Sequence, residues 1–97
     1  MAEIRWTPQA SDDLEAIAKF ISLDSPNYAA IFIVNVLNAV EQLETFPDSG
    51  RIVPELNTNS IREIILGNYR IVCRTQYTSV EIMTVYHSAR LLTPDST

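Results

Sequence analysis

Between Pro8 and Leu23 the apolar residues Leu14, Ile17, Ala18 and Ile21 recur at helical spacing, which predicts a helix with one apolar face. Asp12, Asp13 and Glu15 fall in its first half, where the macrodipole favours negative charge. Thr7-Pro8 supplies the start: the hydroxyl can accept an orphan N–H, and proline has no N–H to leave unpaired. Ser25-Pro26 repeats that signal and predicts a second helix from Pro26 to Glu44. Its stripe is Ala29, Phe32, Ile33, Val36, Leu37, Val40 and Leu43. Ile31 and Val34 lie outside the stripe, so this helix is apolar over more than one face. It is either broadly buried or offers a surface to a partner chain. The short connection between the helices predicts an antiparallel hairpin.

Beyond residue 60 the chain reads as strands. Ile61 to Leu66 and Tyr69 to Thr75 flank Gly67-Asn68, a pair suited to a two-residue hairpin turn. Ser79 to Tyr86 is a third strand, and Glu3 to Trp6 is a short extended segment ahead of the first helix. Phe46 to Arg51, Pro54 and Leu56 to Ser60 read as loop, and the polar tail begins at His87. The order strand, helix, helix, strand, strand, strand predicts one α+β domain over residues 1–97, an antiparallel helical hairpin packed on a mostly antiparallel four-stranded sheet.

The turn fixes a register. Leu66 should pair with Tyr69, Ile64 with Ile71 and Arg62 with Cys73, and these six share the face toward the helices. The opposite face carries Ile61, Glu63 and Ile65 against Arg74, Val72 and Arg70, and is expected to be open. Arg70 and Arg74 then form either a solvated patch with Glu63 as counter-ion or a surface for an anion or a partner.

Composition narrows the chemistry. One cysteine permits no internal disulfide, and no Cys/His spacing suits a metal, so no cofactor is expected. A 46% hydrophobic, 20% charged chain is too apolar for disorder. No apolar run is long enough to span a membrane, and the opening residues lack the pattern of a signal peptide, so a cytoplasmic location is expected. The net charge of −5 argues against general nucleic-acid binding. The charge is uneven, however: residues 1–48 hold eight acids and two bases, residues 49–97 four acids and five arginines. Among the residues of that second half, His87 is the one natural acid–base group, Arg90 could stabilise developing negative charge, and Glu55 is an acid in an irregular segment. Each also has an ordinary surface role open to it. Cys73 faces the core and behaves as a small apolar residue.

The run Trp6-Thr7-Pro8-Gln9-Ala10 to Leu14, the segment Phe46 to Glu55, the pair Arg62-Glu63-Ile64 and Tyr69-Arg70-Ile71-Val72, and the ending Val85-Tyr86-His87-Ser88-Ala89-Arg90 together resemble the ParE/RelE toxin superfamily of type II toxin–antitoxin systems. The resemblance implies a toxin held inactive by a cognate antitoxin. It covers two activities: RelE-like members cleave messenger RNA on the ribosome, and ParE-like members poison DNA gyrase. Glu55, Arg70 and His87, with Arg90, match positions used in ribonuclease members. The tail has no tyrosine, however, and Lys19 is the single lysine. With the His-x-x-Arg ending and the acidic balance, this favours the ParE-like branch and gyrase over the ribosome and messenger RNA. The alternatives are a RelE-like endoribonuclease and a non-toxic binding paralogue. An acidic toxin must hold its antitoxin largely through apolar contact. Phe20, Ile31 and Val34 are the expected anchors, for a segment laid across the helices toward Arg70 and Arg74. The oligomeric state of the free chain is left open.

Overall fold

The computed structural model describes residues 1–88. Strand β1 (Glu3–Trp6) leads into helix α1 (Pro8–Ser22) and helix α2 (Pro26–Glu41), and α2 tightens into one 3₁₀ turn over Gln42–Glu44. Strands β2 (Arg51–Ile52), β3 (Ile61–Leu66), β4 (Tyr69–Thr75) and β5 (Ser79–His87) follow. Both helix starts form as the Thr-Pro and Ser-Pro pairs require. The Thr7 hydroxyl accepts from the Ala10 N–H at 3.0 Å, and that of Ser25 from the Tyr28 N–H at 3.2 Å.

The sheet is mixed, in the order β1-β5-β4-β3-β2, with β1 parallel to β5 and every other pair antiparallel. It has five strands where four are expected, because Arg51 and Ile52 leave the loop to pair with Glu63 and Arg62. Gly50 permits that approach: a Cβ there would lie 2.9 Å from the Glu63 carbonyl oxygen. The β3–β4 register is the one the Gly67-Asn68 turn implies, with Leu66 opposite Tyr69, Ile64 opposite Ile71 and Arg62 opposite Cys73.

The main core lies between helices and sheet, where Val36, Val40 and Leu43 meet Ile71, Cys73, Val80, Ile82 and Val85. Leu37 is not part of it. It sits about a quarter-turn from Val36 and is half exposed, so the expected stripe is too wide on that side.

The expected open face of the sheet is not open. The segment after β2 folds back across it, and Val53 packs with Val72 and Tyr86, flanked by Leu56, Ile61 and Met83. Two hydrogen bonds to the Val53 carbonyl, from the Leu56 and Asn57 N–H groups, curl this strap into a turn. Glu63 and Arg70 are thereby 1% and 7% exposed. The alternation of polar and apolar residues reads as a solvated face because a strap without periodicity leaves no sign of what it covers.

The start of α1 is tied to an irregularity in β5. The β4–β5 register slips between Val72 and Cys73, leaving Met83 as the extra residue. The Thr7 hydroxyl donates to the Met83 carbonyl at 2.9 Å. The Asp13 carboxylate accepts from the Val85 N–H at 3.1 Å and from the Thr84 hydroxyl. Asp13→Ala leaves a strand N–H and a hydroxyl without that acceptor, and should lower the unfolding free energy by about 1–3 kcal/mol in urea titration. An unchanged midpoint would show that water replaces the carboxylate.

Candidate functional site

Two surfaces gather the residues singled out above, on opposite sides of the sheet.

Under the strap, Arg70 is the centre of a buried ionic cluster. Its Nη1 donates to Glu55 Oε2 at 2.6 Å and to Glu63 Oε1 at 3.2 Å, and its Nη2 to the Ser88 carbonyl at 3.2 Å. The guanidinium lies 5.7 Å from the centroid of the Tyr86 ring. Glu63, whose side chain is fully buried, takes a second cation at its other oxygen, Arg51 Nε at 2.6 Å. Two arginines therefore face two carboxylates. Burial alone would lower the Arg70 pKa, but the hydrogen bond it donates to Glu55 and the neighbouring Tyr86 and acids outweigh that and hold the guanidinium above its ordinary value. Burial also raises the Tyr86 phenol, with Arg70 opposing, so the ring stays neutral at physiological pH.

Strand alternation places His87 on the other side of the sheet. His87 pairs with Tyr69, and Tyr86 with Arg70. The His87 ring stands edge-on to Tyr69 at 5.6 Å, and Tyr69 packs on Phe32 of α2 at 5.1 Å. Glu55 and Arg70 thus come together, and His87 does not join them. Arg90 lies outside the described residues. Arg74, expected beside Arg70, is separate from the cluster and donates to Glu81 at 2.9 Å, partly exposed. Cys73 is buried on the helix side and its thiol is pushed up to about 11 by burial, partly opposed by Arg62, so it is no nucleophile at neutral pH.

The second surface is the outer side of the helical hairpin. Phe20, Ile31 and Val34 are 69%, 52% and 54% exposed. Leu37, placed in the core by its spacing, belongs to this surface as well. Between α1 and α2 runs an apolar groove of about 600 Å³, lined by Leu14, Ala18, Ile33 and Leu37, with Glu15 and Lys19 bonded to each other at 2.9 Å on its rim. A smaller groove of about 420 Å³ runs on the other side of α2, between Ile31, Phe32 and the Gly67-Asn68 turn. Ile31, lying outside the core stripe, was the clue to the smaller groove.

The family model described as the ParE toxin of type II toxin–antitoxin system, parDE, matches residues 4–92. The Y4kP protein of Sinorhizobium fredii is 34% identical over 86 residues, covering 88% of this chain and 86% of its own. Toxin RelE2 of Caulobacter vibrioides is 32% identical over 92 residues, covering 94% of this chain and 100% of its own. A solved structure of the chromosomal ParDE TA system from P. aeruginosa superposes with a TM-score of 0.73 at 21% identity, over 90% of this chain and 96% of that one, and shares the fold.

Proposed function

The chain belongs to the ParE toxin family of type II toxin–antitoxin systems, and from that premise we propose that it is a growth-inhibiting toxin that acts on DNA gyrase and is silenced by a cognate antitoxin. The observation that carries the choice of target is the separation of Arg70 from His87 by the sheet. Cleavage of RNA through the 2′-hydroxyl needs an oxyanion donor and an acid–base group on the same side of one substrate. Here Arg70 is buried against two carboxylates under the strap, and the histidine is on the helix side. A net charge of −5 also opposes docking on ribosomal RNA, whose phosphates attract basic surfaces. Gyrase poisoning needs binding and no proton transfer.

The antitoxin reading rests on the exposed apolar side of the hairpin. An antitoxin segment laid across the exposed outer side of the hairpin would bury Phe20, Ile31 and Val34. Of the two arginines expected to extend that contact, Arg74 is partly exposed and Arg70 is buried.

Expression without antitoxin should arrest growth with induction of the DNA-damage response, and the purified protein should inhibit supercoiling by gyrase. His87→Ala should retain both effects, whereas an enzyme losing its general acid or base slows by about 10²–10⁴-fold. Messenger ends at ribosomal A sites that vanish in His87→Ala would instead make the chain a ribonuclease. Normal growth on expression would remove the toxin reading altogether.

A further inference from the structure

Helix α2 carries no charged side chain from Pro26 to Val40, in a chain whose net charge is −5. Its outward crest is nonetheless apolar: Ile31, Val34 and Leu37 are each about half exposed. With Asn27 before them and Glu41 after, they recur at intervals of three and four, the spacing of a helix–helix seam. We propose that the free chain pairs with a second copy of itself through this crest, the two α2 helices antiparallel about a two-fold axis at Val34.

The argument is self-complementarity. A two-fold contact brings a surface against its own copy, so a charge near the axis meets its like. This crest has none there. Val34 meets the partner's Val34, and Ile31 meets the partner's Leu37. Glu41, the one charge on the seam, does not meet itself. The antiparallel register sets it opposite the partner's Asn27, at the N-terminal end of the partner's α2, where an amide can donate and the macrodipole favours a carboxylate. Glu15 and Lys19 stand away from the crest, on α1 at the rim of the groove. For two acidic copies the uncharged crest is also the approach with least repulsion.

Light scattering on the free chain should give twice its 10.9 kDa mass. Val34→Asp should return it to one copy with an unchanged circular dichroism spectrum. Val34→Cys should cross-link with itself under mild oxidation. Cys73 is buried and stays silent, and Tyr77→Cys, fully exposed at the β4–β5 turn, is the control that should not cross-link. Asn27→Lys should tighten the pair and Asn27→Asp weaken it by about two- to fivefold, because each faces Glu41 of the partner. A single-copy mass at all concentrations would overturn the proposal, including the case in which only a different protein binds the crest. So would a dimer that Val34→Asp leaves intact, or equal cross-linking at Val34→Cys and Tyr77→Cys.

Discussion

Arg70→Ala is expected to destabilise the fold by about 3–5 kcal/mol, the cost of removing one partner from a buried ion pair. The reason is the charge left behind. Glu63 has no exposed side-chain surface, and without Arg70 only Arg51 faces it. Glu55 loses its 2.6 Å partner, and the Ser88 carbonyl loses its donor. The strap is also affected, because Glu55 is its ionic attachment to the sheet, beside the apolar one at Val53. Since folded domains have a net stability of about 5–15 kcal/mol, the variant should be measured by urea unfolding with circular dichroism. Arg70→Lys should recover part of the loss, since an ammonium keeps the charge beside the carboxylates but lacks the second arm that reaches the Ser88 carbonyl. Arg70→Ala within 1 kcal/mol of wild type would mean that water enters beneath the strap and solvates the acids.

This bears directly on function. An Arg70→Ala protein that fails to arrest growth does not thereby reveal a nuclease, because loss of fold gives the same result. His87 is the informative position. Its ring is exposed and borders Tyr69 at the end of β5, and a circular dichroism spectrum of His87→Ala separates loss of proton transfer from loss of fold.

What was legible in the sequence follows from the range of the interactions. The helix starts are local, set within four residues by Thr7-Pro8 and Ser25-Pro26, and form at those positions. The β3–β4 register follows from two turn residues and agrees pair by pair. Covering of the second sheet face is not local. It depends on Val53 and Glu55 meeting Val72, Tyr86 and Arg70, from a segment that has neither helical nor strand period. Glu63 and Arg70 looked like surface residues because charged residues are nearly always exposed unless paired, and the pairing is what the sequence does not show. Of the aliphatic residues on that face, Ile61 and Val72 were the available sign that something apolar lies over it. The hairpin's outer side was legible for the opposite reason: Ile31 and Val34 sit on the helix where a buried stripe cannot reach, whatever the rest of the chain does.

Replacing both Ile31 and Val34 by aspartate should weaken antitoxin binding by roughly 100-fold or more, since truncating or charging a central apolar anchor commonly costs about 2 kcal/mol and each 1.4 kcal/mol is tenfold. Both side chains are more than half exposed, so the substitution removes little from the core, and the fold should be intact by circular dichroism. The sign of the result is robust to the state of the free chain. If two copies pair through the same crest, the aspartates also break that pair. An antitoxin then no longer has to displace a partner, which by itself tightens its apparent affinity. Weaker binding in calorimetry therefore has to come from the antitoxin contact. Unchanged or tighter binding would place the antitoxin elsewhere, the first alternative being the groove floor at Leu14, Ala18 and Ile33. The parallel growth assay gives the consequence in the cell: a toxin that arrests growth like wild type when alone, but is no longer rescued by its antitoxin.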